Sequence, residues 1–141
     1  FYKAGGVNYD AVILLQPTSP FRLIKHVKEA ITIFDDDLDM VCSVSESKAN
    51  PYYNLFEESY NGMLEKCKQA SYTRRQDCPQ IYEQNGSIYV ISVKSLLTKG
   101  MTNFTKTKKY VMNDIYSCDI DTPEDWDYCE YLLHHRKVKY E

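Results

Sequence analysis

No apolar run in this chain approaches the roughly 18 to 20 residues a membrane-spanning helix needs, and its start lacks a basic segment leading into a hydrophobic one. Neither anchoring nor export is indicated, and the expected location is cytoplasmic. Positive charge is not in excess either: 17 Lys and Arg stand against 20 Asp and Glu, a net charge of -3 at pH 7. No global field therefore exists to hold a nucleic-acid backbone or an anionic membrane, and any anionic ligand must be gripped locally. Paired cysteines are missing too. Cys42, Cys67, Cys78, Cys118 and Cys129 are odd in number and widely spaced, with no C-x-x-C pair. That pattern argues against a disulfide framework and a zinc knuckle, and the five read as reduced, semi-buried apolar residues. No repeat or low-complexity segment occurs.

What is present suits one globular core. The 141 residues are 43% hydrophobic and 26% charged, inside the range of folded soluble domains. Asp10-Ala11-Val12-Ile13-Leu14-Leu15 is a short, nearly continuous apolar run, the pattern of a strand covered on both faces. It ends at Gln16-Pro17. Ser19-Pro20 reads as N-cap and first residue of a helix whose Ile24, Val27, Ile31 and Phe34 recur at helical spacing up to Asp35-Asp36-Asp37. Met40-Val41-Cys42-Ser43-Val44 is a second strand, so strand, helix and strand have the length of a parallel crossover unit. The fold class is α/β.

From 46 to 84 the pattern breaks into polar residues, tyrosines and prolines, an excursion from the sheet. Regularity returns with a strand at Ser87-Ile88-Tyr89-Val90-Ile91-Ser92-Val93, entered through an Asn85-Gly86 turn. Residues 94–99 suit a short helix or turn, and Tyr110-Val111-Met112 and Tyr116-Ser117-Cys118-Asp119-Ile120 suit strands. Thr122-Pro123-Glu124-Asp125 carries an N-cap, an N1 proline and capping-box spacing for a last helix.

Three groups could carry chemistry. Gln16 to Arg22 lies at the carboxyl end of the first strand and offers an amide, the Thr18 and Ser19 hydroxyls and a guanidinium, donors for a hydroxylated or anionic ligand. A well-capped strand-to-helix turn would explain the same residues. Asp119 and Asp121, at i and i+2 of a strand, would converge on one face and suit Mg²⁺ arriving with substrate phosphates. The competing reading makes Asp121 a helix cap and Asp119 a solvated charge. Arg74-Arg75-Gln76-Asp77, followed by Tyr82 and Asn85, could clamp a carboxylate or phosphate bidentately, or form solvated surface. His134 and His135, at the end of the last helix, oppose its dipole and need no ligand. The 13 tyrosines fit an interface as well as a sugar platform.

In chain order, Leu14-Leu15-Gln16-Pro17-Thr18-Ser19-Pro20-Phe21-Arg22, Ser43-Val44, Arg74-Arg75-Gln76-Asp77 with Tyr82 and Asn85-Gly86-Ser87-Ile88-Tyr89, and Asp119-Ile120-Asp121 resemble the acylneuraminate cytidylyltransferases, the CMP-sialic acid synthetases. The resemblance implies a doubly wound, mainly parallel nucleotidyltransferase fold, here in part, with residues 46–84 projecting as a dimerisation segment of a homodimer. It implies transfer of CMP from CTP to the anomeric hydroxyl of N-acetylneuraminate or a related nine-carbon keto acid, with release of pyrophosphate. Under it Gln16 contacts the sugar acid, Thr18 and Ser19 shape that wall, and Arg22, Gln76, Tyr82 and Asn85 belong to the substrate pocket. Arg75 is the essential catalytic cation, meeting the sugar carboxylate or the developing phosphate charge in its own or the partner subunit's site. Asp119 and Asp121 hold Mg²⁺.

Family members begin with a strand and a glycine-rich loop whose Arg or Lys cradles the CTP triphosphate. Gly5-Gly6 is only a dipeptide without that basic residue. The expectation is that residues 1–141 are the C-terminal portion of such an enzyme and do not turn over CTP unaided. A different class of reading is a non-catalytic homologue or fragment acting as a dimerisation or binding module. A third is a sister enzyme for legionaminic or pseudaminic acid; Q-P-T-S-P argues against keto-deoxy-octulosonic acid.

Overall fold

The computed structural model describes residues 8–139, which leaves Gly5-Gly6 outside it. The chain forms two compact units, one reaching Ser45 and resuming at Gln84, the other spanning Glu46–Glu83.

A four-stranded sheet has the order β1-β5-β2-β6, from β1 (Ala11–Leu15), β2 (Met40–Glu46), β5 (Tyr82–Ser92) and β6 (Thr107–Val111), and all of it but Glu46, Tyr82 and Glu83 lies in the first unit. With α1 (Ile24–Ile33), α2 (Val93–Thr98) and α3 (Pro123–His134) this is an α/β architecture. β1 runs antiparallel to β5, from Ala11 opposite Ser92 to Leu15 opposite Ile88. β2 runs parallel to β6, from Met40 opposite Thr107 to Val44 opposite Val111. The sheet is thus mixed, not mainly parallel. The excursion is the cause: Ser47 N–H donates to Ile81 C=O at 2.9 Å, so the chain returns at the end where it left, and the returning strand enters between β1 and β2.

Two cores support this sheet. Ala30, Leu38, Val41, Ile88, Val90, Tyr110 and Met112 form one, with Val27, Ile33 and Phe34 against it. The Tyr110 hydroxyl donates to Glu29 Oε2 at 2.5 Å, fixing α1 to β6. The second gathers Phe21, Cys129, Leu132 and Val138 with Cys118 and Ile120, seating α3 beside the loop after β1. At the start of β2 the buried Asp39 carboxylate accepts from Ser95 Oγ (2.6 Å), Lys99 Nζ (2.7 Å), Thr105 N–H (2.9 Å) and Lys106 N–H (3.0 Å). These bonds, led by Lys99, hold it well below the usual carboxylate range.

Several local expectations hold. α2 occupies the segment read as a short helix, and Thr122 caps α3 with Pro123 in its first turn. The Asp125 carboxylate accepts Thr122 N–H at 2.8 Å, completing the capping box. All five cysteines are free thiols. Others fail. Ser19-Pro20 does not open α1; the helix begins at Ile24, and the N-cap Leu23 gives its N–H to His26 Nδ1 at 3.3 Å. Phe21, fully buried in the second core, holds the chain away from a helical path until then. The expected α1 stripe is also rotated: His26 and Ala30 are buried while Ile24 and Ile31 face outward. Asn85-Gly86 lies inside β5, not in a turn before it. Residues 116–120 form no strand; a turn over Asp114–Tyr116 precedes irregular chain. Its Ile120 N–H donates to Thr18 C=O at 3.0 Å, in the loop after β1 and not to a strand.

In the second unit β3 (Phe56–Glu58) and β4 (Leu64–Lys66) form an antiparallel hairpin that the sequence pattern did not disclose. Gly62 (φ 79°) supplies the left-handed residue of its turn. The base is a knot on Asn50, whose side chain donates to Pro79 C=O at 3.1 Å and accepts Tyr52 N–H at 3.0 Å. Tyr52 and Tyr72 pack edge to face there, with ring centres 6.0 Å apart.

Candidate active site

The site is built where β1 ends and β5 kinks. Gly86 has φ 72°, a conformation L side chains rarely adopt. Side chains bond around it: Ser43 Oγ accepts Ile88 N–H at 2.7 Å and donates to Asn85 Oδ1 at 2.6 Å. Asn85 Oδ1 also accepts Ser87 N–H at 3.2 Å, and Asn85 Nδ2 donates to Ser117 Oγ at 2.9 Å. Buried Asn85 therefore ties β2, β5 and the chain leading to Asp119.

A side chain at Gly86 has no room. A Cβ there would collide with Gln16 Oε1 and come within 3.3 Å of Asp119 Oδ2. The glycine is the floor on which the Gln16 amide and the Asp119 carboxylate meet. The loop carrying Gln16 is fastened by Arg22, whose Nη1 donates to Gln16 C=O (3.1 Å) and to Ser87 C=O (2.8 Å). Burial lowers the pKa of this guanidinium. The Asp119 side is fastened by Ile120 N–H donating to Thr18 C=O at 3.0 Å.

Two buried oxygens in this region have no hydrogen-bond partner among the described residues: Ser19 Oγ and Asp119 Oδ1. A buried acceptor or hydroxyl left unsatisfied costs on the order of 1–3 kcal/mol, so such atoms are characteristic of a site awaiting a ligand. Asp121 is exposed, and Thr122, not Asp121, caps α3. No hydrogen bond or ion pair among the described residues engages the Asp121 carboxylate, which removes the helix-cap alternative for it.

The structure thus brings together Gln16, Thr18, Arg22, Asn85 and Asp119. Arg22 and Asn85 act in it as ties between backbone segments. Arg75, Gln76 and Tyr82 belong to the second unit. There Arg74 pairs with Asp77 (2.9 Å) in a turn over Arg75–Asp77. Arg75 is exposed, and no acid among the described residues pairs with it. Sequence reasoning missed Ser43, Ser117 and the floor role of Gly86. The Asn85-Gly86 pair signals a left-handed residue, which the structure places inside β5 and not in a turn.

A polar floor at strand ends of a mixed α/β sheet is consistent with a nucleotidyltransferase-like layout. No family model matches the chain. Curated relatives do. It is 33% identical over 128 residues to the CMP-N,N'-diacetyllegionaminic acid synthase of Legionella pneumophila, covering 90% of this chain and 55% of that protein. It is 32% identical over 117 residues to an N-acylneuraminate cytidylyltransferase of Streptococcus agalactiae, covering 81% of this chain and 28% of that protein. The flagellin modification protein B of Campylobacter coli matches at 26% over 133 residues, covering 94% and 56%. These relatives bear the names of acylneuraminate and legionaminate cytidylyltransferases, the proteins its motifs resemble. It spans about half the length of the first of these relatives.

Proposed function

We propose that this chain supplies the sugar-acid wall and the metal end of a cytidylyltransferase site. The reaction is transfer of CMP from CTP to the anomeric hydroxyl of N-acetylneuraminate or a related nine-carbon keto acid, with release of pyrophosphate. The observation that carries the reading is the meeting of Gln16 and Asp119 over Gly86, beside a buried Asp119 oxygen with no donor. Relatives that bear the names of such enzymes support it.

Gln16 has an amide suited to the hydroxyls of a sugar acid, and Thr18 and Ser19 shape the same wall. Arg75, with Gln76 and Tyr82, is the proposed set that meets carboxylate or phosphate charge of the substrates through its guanidinium. Such a transfer demands little covalent chemistry from protein and mostly in-line positioning and charge neutralisation. The residues fit Mg²⁺: Asp119 Oδ1 is an acceptor in want of a cation, and Asp121 is not consumed by the cap. When bound, the ion would neutralise charge on the phosphate oxygens. Among the described residues no three acidic, His or Cys side chains cluster, so the two aspartates are the chain's proposed ligands. The exposed Phe56, Tyr60, Met63 and Leu64 on the hairpin support a homodimer through this segment in a cytoplasmic enzyme.

The test is calorimetric titration of a CMP-sugar with Mg²⁺ into the chain. Asp119→Asn should weaken binding by roughly tenfold or more, as loss of a charged hydrogen-bonding partner does. Unchanged affinity would refute the site. Pyrophosphate release from CTP and N-acetylneuraminate by residues 1–141 alone should stay at background. Because the chain spans only half of its relatives, a non-catalytic binding module is the second reading. It predicts dimerisation with no CMP-sugar affinity.

A further inference from the structure

Asp119 sits on irregular chain: no strand or helix holds residues 117–121. Its Oδ1 is buried with no hydrogen-bond partner among the described residues, so the place of the carboxylate must come from bonds made by its neighbours. On one side Ile120 N–H is held by Thr18 C=O. On the other, Ser117 ends a chain of hydrogen bonds that starts on β2, and the direction of its protons is fixed. Ile88 N–H can only donate, so Ser43 Oγ accepts it and gives its single proton to Asn85 Oδ1. Ser87 N–H donates to the same oxygen, which decides independently which end of the amide faces β2. Asn85 Nδ2 therefore faces Ser117, whose Oγ accepts from it and passes its own proton to Asn113 C=O at 3.0 Å. Ser43 is 1% exposed and Asn85 7%, so water competes little for these bonds.

We infer that Ser43, Asn85 and Ser117 are positioning residues for Asp119: they carry the register of β2 and β5 across to its carboxylate and hold it ready for a divalent cation. The inference rests on the metal end proposed above. A buried polar network whose members are satisfied rigidifies what it holds, and the partners behind a metal ligand fix its orientation and raise metal affinity. Chemistry selects the residue type at the centre. An amide offers an acceptor to Ser43 at one end and a donor to Ser117 at the other; a carboxylate does not. Aspartate at position 85 would keep the first bond and lose the second, and would set another negative charge behind Asp119. Asn85 engages protein at both ends of its amide and acts through Asp119.

The test is titration of Mn²⁺, which shares the preference of Mg²⁺ for oxygen ligands, into the 141-residue chain. The free ion is read by electron paramagnetic resonance at a temperature where every variant is folded. Ser43→Ala and Ser117→Ala should each weaken binding by on the order of tenfold. Ser117→Thr keeps the hydroxyl on a half-buried residue and should bind as the parent does. Tyr110→Phe is the control for stability alone: it loses the bond that fixes α1 to β6, should melt lower, and should keep the parent's affinity. Should Ser43→Ala fail to fold, Ser117→Ala with Ser117→Thr decides. If the parent does not bind Mn²⁺, or Asp119→Asn binds it as tightly, the metal end proposed above is refuted and this inference with it. If Asp119→Asn loses binding while Ser43→Ala and Ser117→Ala keep it, this inference alone is overturned. An equal loss in Ser117→Thr or in Tyr110→Phe overturns it as well, since the hydroxyl chain would then not be what acts.

Discussion

Replacing Gly86 by alanine isolates the contact on which the candidate site rests. Two costs are expected. A Cβ at φ 72° carries about 1–2 kcal/mol of backbone strain. The same Cβ also displaces the Gln16 amide, which now occupies its space. The displaced group is the end of a flexible side chain, so the collision adds only about 1 kcal/mol. Gln16→Ala alone should be nearly neutral for folding, because no hydrogen bond among the described residues uses its amide. In the double variant the collision disappears and the strain remains. The Gly86→Ala and Gln16→Ala effects should therefore fall short of additivity by about 1 kcal/mol. Urea unfolding followed by the fluorescence of Trp126, the single tryptophan, reports on the unit that holds the site. Additivity within about 0.3 kcal/mol would show that Gln16 does not stand over Gly86 and would remove the floor of the site.

Arg22→Ala should destabilise the first unit by about 2–3 kcal/mol, since it leaves Gln16 C=O and Ser87 C=O without their charged donor. Arg22→Lys should recover part of this in a thermal melt, and equal loss in both variants would argue for lost packing instead. The Asp39 carboxylate is held below its ordinary range. Its contribution is then full above the unfolded value near pH 4 and lost as pH falls further. An Asp39→Asn variant should start less stable and show a flatter acid limb between about pH 4 and pH 2 in melting temperature against pH; an unchanged limb would refute the network. Burial pushes the Cys118 thiol up to about 12, so iodoacetamide at pH 8 should leave Cys118 unlabelled in the native protein, as peptide mass spectrometry would show.

Legibility in the sequence followed the range of the forces involved. The α3 cap was readable because Thr122, Pro123 and Asp125 satisfy one another within a single turn. The same holds for α2 and for the strand, helix and strand of β1, α1 and β2. Ser19 shows where local reading ends: it has the chemistry of an N-cap, yet burial of Phe21 and the Arg22 tie carry the chain past it, leaving Ser19 Oγ buried and unpartnered. Asp119 and Asp121 were found by their spacing in a strand that does not form. What gives Asp119 its place is Gly86 and the Ile120–Thr18 bond.

By itself, then, the sequence determined the α/β class, the last helix with its cap and the ordered motifs that its relatives' names bear out, because periodicity, caps and short strings act between near neighbours. Only the tertiary structure decided that β5 lies between β1 and β2, that Asn85-Gly86 is a kink and not a turn, and that Gln16 and Asp119 converge on one glycine. Those facts depend on residues far apart in the chain, such as Gln16 with Gly86, 70 positions on, and Gly86 with Asp119, 33 positions on. No local rule encodes such meetings; they arise when the sheet closes its hydrogen bonds and its core excludes water.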